Sequence, residues 1–223
     1  MDAIDYLHLQ LQLEGKDVVG TDSLRPVEIV PDEEMPLMLI AQLADKQVVA
    51  YYDEALSIGL HTELTQRIQN AALPNLDALL GFLGTQNISS TVGHYKTYIF
   101  LEKQADFDDV NCYTKYDPKV KAFGFDGFSE EVYAIEQDNN IVSACVSTRE
   151  NNFCGEAWVY TDEKYRHQGF ARKVVSVWAL SLISAGKVAF YSHKIQNNAS
   201  ANLATRLGLQ SVFEEIVIPY ANV

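Results

Sequence analysis

Residues 156–192 read EAWVYTDEKYRHQGFARKVVSVWALSLISAGKVAFYS, and this stretch decides the fold class. The run 156–161 is rich in aromatic and β-branched residues and predicts a strand. The apolar pattern predicts a helix over 169–185, which Gly186 stops, and a second strand over 187–192. Because a helix of this length returns the chain to the second strand, the two strands are expected to be parallel.

The loop at the centre of this unit, residues 166–172, has the features of an anion site. Gly169 and Ala171 are small, so backbone N–H groups can approach a ligand closely. The first N–H groups of the following helix lack partners within the helix, and its dipole adds positive potential there. Arg166 and Arg172 stand at the two ends and suit charge-assisted contacts. The loop therefore predicts a phosphate or pyrophosphate site, with a plain structural turn as the alternative.

Two common nucleotide-binding motifs are excluded at this loop. A Walker-type loop requires Gly-Lys followed by Ser or Thr, and no such triplet follows. The dinucleotide fingerprint requires three glycines and an acidic residue about 20 positions further on. The predicted anion site therefore belongs to another class of phosphate-bearing ligand.

The composition is that of an ordinary globular protein of 223 residues, with 48% apolar and 21% charged residues. The net charge of −13 argues against nucleic acid and against docking on anionic lipid, and it favours a cationic substrate such as an amine. No run of about 18 apolar residues predicts a membrane span. The N-terminus lacks the pattern of a secretory signal.

Three cysteines, Cys112, Cys145 and Cys154, are too few and too irregularly spaced for a disulfide framework or a zinc site. Their odd number fits a reducing compartment, so a cytoplasmic location is expected. Buried packing thiols are the favoured interpretation, and a nucleophilic role is the alternative. No metal is implied.

The sequence predicts a mixed α/β fold with a boundary near the acidic stretch 102–109. The patterns that carry this prediction lie in two parts, 1–109 and 110–223. In the first part, segments 47–52 and 94–101 predict strands, and helical periodicity at 63–72 and 76–83 is interrupted by Pro74 and capped by Asn75. In the second part, strands at 132–136, 141–147 and 156–161 predict an antiparallel meander, and a helix at 198–207 precedes a strand at 212–218.

The second part resembles the acetyl-CoA-binding core of the GNAT superfamily of N-acetyltransferases. The resemblance rests on the strand at 156–161, the Arg-x-x-Gly-x-Ala loop at 166–171, the long helix and the next strand, and it continues through Asn197-x-x-Ser200 to 206–209. Residues 141–149 are similar to a subgroup in which an N-terminal region precedes this core. The resemblance implies a central mixed sheet with flanking helices, a βαβ crossover at the acetyl-CoA site, and a first part, 1–109, on the substrate side.

Carried over by position, the resemblance implies acetyl-CoA as cosubstrate. Backbone groups of Val159, Tyr160 and Thr161 would pair with the pantetheine arm where the two parallel strands splay apart. The pyrophosphate would be cradled by the seven loop residues Arg166, His167, Gln168, Gly169, Phe170, Ala171 and Arg172. Asn197 and Ser200 would touch the pantetheine or adenosine end, or serve instead as a helix cap and a small packing residue.

The resemblance also suggests catalytic candidates. An ammonium with a pKa of about 10.4 must lose a proton before it attacks a thioester, so a general base is expected. Glu156 is the candidate because members of the superfamily often place a carboxylate early on this strand. Its register differs by one residue, which a bulge in the strand would absorb. The alternative is a carboxylate that only orders the edge of the site.

The general acid is less well defined. The family's frequent tyrosine on the last helix corresponds to Ala204 here, so Tyr191 and His193, at the end of the second parallel strand, are the candidates to protonate the sulfur. For His193 a surface histidine is the alternative. Trp158 and Trp178 are interpreted as core residues.

The resemblance implies an enzyme, an acyltransferase that moves an acetyl group from acetyl-CoA to an amine of a small molecule or peptide by direct attack. Backbone N–H groups near Val159 would polarise the thioester carbonyl. The alternative is a catalytically silent CoA-binding or sensing module, which Ala204 favours. Nucleic acid and membrane are not expected partners, and the sequence allows a homodimer.

Overall fold

The computed structural model describes residues 1–27, 35–68, 76–86, 92–101 and 107–220. Pro74 and Asn75, predicted to separate two helices, lie outside these residues, as does most of the acidic stretch at 102–109. In the part of the chain that is described, no helix is both long and apolar enough to cross a membrane.

The elements follow one another in a mixed order of helices and strands. The first half contains α1 (Ala3–Leu13), β1 (Lys16–Val19), β2 (Ser23–Pro26), β3 (Pro36–Leu43), β4 (Val48–Asp53), α2 (Ile58–Ile68), α3 (Leu76–Thr85) and β5 (Gly93–Ile99). The second half contains β6 (Asn111–Thr114), α4 (Pro118–Phe123), β7 (Glu131–Gln137), β8 (Asn140–Glu150), β9 (Cys154–Thr161), a 3₁₀ turn (Glu163–Tyr165), α5 (Phe170–Ser184), β10 (Val188–Lys194), α6 (Asn198–Leu207) and β11 (Gln210–Pro219).

The chain packs as two compact units. Unit one consists of Met1–Thr97 together with Ser211–Val223, and unit two consists of Tyr98–Gln210. The last strand of the chain therefore belongs to the same unit as the N-terminus. The domain division predicted at residue 109 stays a prediction.

Unit one is built on a sheet with the strand order β1-β2-β4-β3-β11-β5. β2 and β4 are parallel, whereas β1–β2, β4–β3 and β3–β11 are antiparallel pairs. β3 is buried along nearly its whole length, as a strand covered on both faces is expected to be. Leu64 of α2 and Leu83 of α3 pack with Ile40 of β3 in one hydrophobic cluster.

Unit two contains the mixed sheet that the sequence predicts, with the strand order β10-β9-β8-β7-β6. β10 and β9 are parallel, and the remaining pairs are antiparallel. The predicted meander and the parallel crossover are both present, and the helix predicted over 169–185 is α5. The fold class is thereby confirmed.

The two faces of the unit-two sheet are covered by different helices. On one face, α5 buries Val174, Val175 and Trp178 in a core that also contains Ala204 of α6. On the other face, α4 and the segment after it pack Val120 and Phe125 against β7 and β8. The interpretation of both tryptophans as core is wrong for one of them, because Trp178 is 1% exposed and Trp158 is 50% exposed.

Candidate active site

The two parallel strands of unit two separate after a short paired segment. β10 pairs with β9 at Val188↔Cys154, Ala189↔Gly155 and Phe190↔Glu156, and the described register ends there. β9 nevertheless continues to Thr161 and stays paired with β8 over that length. A gap therefore opens between residues 157–161 of β9 and residues 191–194 of β10.

The backbone of β9 is directed into this gap at alternate residues. The N–H of Val188 donates to the carbonyl oxygen of Phe153 at 2.9 Å, so odd-numbered residues of β9 turn their backbone groups toward β10. The N–H and C=O of Val159 consequently point into the gap. The carbonyl of Thr161 lies on the same side, and it accepts a hydrogen bond from Nε of Arg166 at 3.3 Å. The backbone of Tyr160 is turned the other way, toward β8.

The loop before α5 is exposed and contains two residues with left-handed backbone. His167 has φ 65° and Gly169 has φ 84°, a conformation that costs a glycine little. A Cβ at Gly169 would meet no atom within 4 Å, so glycine is favoured there by the left-handed backbone and not by close contact with neighbouring atoms. Gln168 and Arg172 are exposed, whereas the ring of Phe170 packs against the core under α5.

The first backbone N–H groups of α5 lie beside this loop. Lys173 N–H is a donor to the carbonyl of Gly169 at 3.2 Å, so Phe170, Ala171 and Arg172 precede the first bond of the helix. The positive end of a helix of 15 residues adds to their potential. Arg166, half-exposed, pairs with Glu163 at 3.2 Å and supplies a further positive charge.

Glu156 is buried and already paired. Its side chain lies 2.5 Å from Nη2 of Arg149 on β8, and Nε of the same guanidinium donates to Oε2 at 3.2 Å. The register between the strands shifts between Ser147 and Arg149, so the predicted bulge occurs in β8, opposite Glu156, and not in β9. The bulge aligns Arg149 with Glu156.

Tyr191 is fully buried at the point where β10 leaves β9. Burial raises the pKa of its hydroxyl to about 12, and the Ser200 side chain opposes this shift through a hydrogen bond. The phenol is protonated at neutral pH, and the raised pKa means that it holds its proton more tightly than an exposed tyrosine does. Asn197 caps α6, accepting from the N–H of Ser200 at 3.1 Å, so the capping alternative for Asn197 is realised.

His193 is also buried, and it stacks on Tyr98 with ring centroids 5.5 Å apart. Its Nδ1 lies 2.9 Å from the carbonyl oxygen of Lys194, which can only accept, so Nδ1 carries the proton. In the neutral ring, Nε2 then presents its lone pair toward the Tyr98 hydroxyl at 3.4 Å. A buried position excludes the surface alternative for His193.

The three catalytic candidates do not share one face of the sheet. Tyr191 and His193 follow Ala189 at alternate positions and lie on the face that α5 and α6 cover. Glu156 pairs with Phe190, so its side chain lies on the opposite face. Two partners, Arg149 and Tyr98, were not predicted from the sequence. The register shift in β8 places Arg149 opposite Glu156, and Tyr98 lies 95 positions from His193 along the chain.

The larger described cavity, of about 740 Å³, lies elsewhere in unit two. Its lining includes Trp178, Glu150 and Lys187, and it contains none of the predicted site residues. Within the described ranges, no group of three or more His, Cys, Asp or Glu side chains is arranged to hold a metal ion.

Comparison with known proteins identifies the family. A model of the GNAT acetyltransferase family matches residues 101–217, just over half of the 223-residue chain. The chain therefore belongs to the GNAT acetyltransferases, a family of acyltransferases.

Individual relatives agree with this assignment. YdfB of Bacillus subtilis, an uncharacterized N-acetyltransferase, is 32% identical over 102 residues, covering 46% of this chain but only 38% of YdfB. A GNAT-family acetyltransferase from Colwellia psychrerythraea is 14% identical, with a TM-score of 0.51 over 99% of this chain and 98% of its own. A GNAT-family protein from Novosphingobium aromaticivorans is 15% identical, with a TM-score of 0.50 over 59% of this chain and 66% of its own. At these identities the two structures show the shared fold alone.

Proposed function

We propose that the protein transfers an acetyl group from acetyl-CoA to the amine of a small molecule or peptide by direct attack. The observation that carries this proposal is the separation of β9 from β10 after Phe190, beside the exposed N-terminus of α5. The gap offers strand-like backbone partners to an extended arm, and the helix end offers N–H groups to a diphosphate. A ligand that consists of a diphosphate joined to an amide-containing chain needs both kinds of contact.

The residues around the gap fit such a cosubstrate. Val159 and Thr161 would pair with the pantetheine amides, and the loop 166–172 would hold the pyrophosphate. Acetyl-CoA supplies the acetyl group, whose C–S bond breaks as the C–N bond forms, while the amine loses one proton and the sulfur gains one. The Val159 N–H, directed into the gap, would stabilise negative charge on the carbonyl oxygen.

Proton transfer is assigned to the buried polar side chains at the gap. The hydroxyl of Tyr191, which follows the last pair between β9 and β10, is proposed as the donor to the sulfur. His193, whose Nε2 lies 3.4 Å from the Tyr98 hydroxyl, would take up at that atom the proton that the attacking amine loses. Glu156 stays a candidate base, although its contact with Arg149 favours the role of ordering the edge of the site.

The cosubstrate site is tested by two substitutions of equal shape at Gly169. Gly169→Asp places an anion at the proposed pyrophosphate site and should weaken acetyl-CoA binding at least about tenfold, the effect of losing one charge-assisted contact. Gly169→Asn is the control, because asparagine tolerates the left-handed backbone and carries no charge. Isothermal titration calorimetry with acetyl-CoA measures both. Equal affinities for the two variants would contradict the pyrophosphate site.

A second candidate, a CoA-binding module without turnover, is favoured by two observations. The position of the family's usual tyrosine is Ala204, which is buried in the core, and Glu156 is engaged by Arg149. Release of CoA thiol over a panel of amines decides between the candidates. Tight binding of CoA with no thiol release on any amine would establish the silent module.

The cellular setting remains part of the proposal. None of the three thiols Cys112, Cys145 and Cys154 forms a disulfide, and we propose a reducing, cytoplasmic location on that basis. We keep the acceptor as an amine and expect neither nucleic acid nor membrane as a partner, because the chain carries a net charge of −13. The homodimer stays a prediction.

A further inference from the structure

Five aromatic rings form a continuous group on the α4 side of the unit-two sheet. We call this group the aromatic patch; its members are Phe123, Phe125, Phe128, Trp158 and Tyr160. Phe128 stacks on Trp158 with centroids 5.8 Å apart and planes 21° apart, and Phe123 contacts Tyr160 at 5.7 Å. Phe125 joins the two pairs, at 5.1 Å from Phe123 and 5.6 Å from Phe128. The contacts hold the rings in fixed positions relative to one another.

The patch is anchored at one end and open at the other. Phe125 is buried, whereas Trp158 is 50% exposed and Tyr160 is 43% exposed. A ring that is stacked on one side and half-exposed presents its other face to solvent. Because exposed indole and phenol rings forgo the free energy of burial, a group of this kind marks a recognition surface.

The exposed rings flank the residue whose backbone points into the gap. Trp158 precedes Val159 on β9 and Tyr160 follows it. Because side chains alternate along a strand, Trp158 and Tyr160 lie on one face of the sheet and Val159 lies on the other. On the α5 face, the side chains of Ala157 and Val159 pack against the core and are partly buried. The more exposed side of β9 beside the gap is therefore the face that carries the patch.

We propose that the aromatic patch is the acceptor subsite, and that it selects small amines carried on an aromatic ring. This inference rests on the proposed function, because the patch serves an acceptor only if acetyl-CoA lies in the gap. Residues two apart on a strand lie about 7 Å from each other. The side chains of Trp158 and Tyr160 are therefore close enough to contact the same aromatic ring system of a ligand. The net charge of −13 attracts the ammonium group of such a ligand.

The kinetic test compares two amines that differ only in the ring. Phenylethylamine and cyclohexylethylamine share their skeleton, but only the first can stack on the indole face. We expect KM to be about three- to tenfold lower for phenylethylamine, the worth of one aromatic pair. Trp158→Ala should abolish this preference. Phe153→Ala is the matched control, since Phe153 is 64% exposed before the start of β9, and it should leave the preference intact.

A binding readout keeps the test independent of turnover. The chain has two tryptophans, of which Trp158 is half-exposed and Trp178 is buried. With CoA present, phenylethylamine should change the tryptophan fluorescence of the wild type and not that of Trp158→Phe. Cyclohexylethylamine should need about a three- to tenfold higher concentration for the same change in the wild type.

The outcomes separate the inference from the proposed function. Equal KM values for the two amines, together with an unchanged fluorescence, would overturn the aromatic acceptor subsite and leave acetyl transfer standing. Absence of thiol release with every amine would instead remove the proposed function. In that case, a fluorescence change at a lower concentration of phenylethylamine than of cyclohexylethylamine would still establish the patch as its binding surface, and no such difference would overturn it.

Discussion

The carboxylate of Glu156 shows how a single residue can look catalytic in sequence and have a structural partner in the fold. It is 5% exposed, and the guanidinium of Arg149 occupies its Oε2 through two nitrogen atoms. Because Oε2 is already engaged by two donors of one guanidinium, the geometry favours the ordering role over the role of base. The strand and its acidic residue could be predicted, but Arg149 could not, because only the bulge in β8 brings it opposite.

Substitution of this carboxylate should therefore reduce stability. Glu156→Gln leaves the Arg149 guanidinium without a counter-charge in a largely buried position, so we expect a loss of about 3 kcal/mol in the free energy of unfolding. Urea unfolding at an unchanged m-value measures the loss. Glu163→Gln is the matched control: its pair with Arg166 is exposed, and the expected change is below about 1 kcal/mol. If both variants lose the same free energy, the Glu156–Arg149 pair has no special structural role.

Trp158 marks the limit of sequence reasoning at the residue scale. Its alternation with Ala157 and Val159 is visible in the sequence and predicts which residues share a face. The sequence does not show which face is covered, because that depends on where α4 and α5 pack. The long pattern of α5 is visible in the sequence and that of α4 is not, so the half-exposed position of Trp158 is not predictable from its local sequence.

At the scale of elements, α5 packs very close to β9. A Cβ at Gly155 would lie 2.9 Å from Cδ1 of Leu182 and 3.3 Å from Oγ of Ser147. The absence of a side chain at this position therefore sets the distance between the helix and the sheet. The same packing fixes the position of β9, whose residues 157–161 line the gap.

Adding a methyl group at position 155 should lower the stability of the fold. We expect Gly155→Ala to lower the free energy of unfolding by about 1–3 kcal/mol through overpacking, and Leu182→Val in the same chain to recover part of it. Gly81→Ala in α3 is the control. A Cβ at Gly81 would meet no atom within 4 Å. The substitution should therefore raise the free energy of unfolding by about 0.5–1 kcal/mol, because alanine is more favourable than glycine in a helix. A stabilising Gly155→Ala would show that the helix is free to move outward.

The elements that were predicted and those that were missed differ in the strength of their local signals. α5 has apolar residues over several turns and a glycine at its end, so its pattern is unambiguous. β3 is a continuous apolar run, Pro36–Leu43, that periodicity alone cannot assign to strand or helix. α4 has only six residues, although Asp117 caps it and Pro118 opens it, and its short length conceals the helical period.

At the scale of the whole molecule, the last strand completes the sheet of the first unit. β11 lies between β3 and β5 and pairs with β3 from Phe213↔Leu43 to Pro219↔Pro36. Its residues Phe213, Ile216 and Ile218 are buried. No local pattern in the sequence could reveal a pairing across 170 positions or more, so the unit boundaries were not predictable from composition.

Removal of this strand should unfold unit one. A chain that ends at Leu209 leaves β3 without its neighbour and exposes an apolar strand edge, which promotes association. We expect it to elute as aggregates in size-exclusion chromatography and to lose cooperative urea unfolding. A chain that ends at Tyr220 keeps β11 and should match the full protein within about 0.5 kcal/mol. A monomeric, cooperative chain ending at Leu209 would show that β11 is dispensable.

The unequal burial of the three thiols has a practical consequence for measuring turnover. Cys145 and Cys154 are buried, with burial raising the pKa of the first well above its usual value and that of the second to about 11, whereas Cys112 lies exposed on β6. Any reagent that reports liberated sulfhydryl groups will also be consumed by Cys112, at one equivalent for each folded chain. A Cys112→Ser background would remove that blank from the assay, and the native residue offers a single attachment point for a fluorophore.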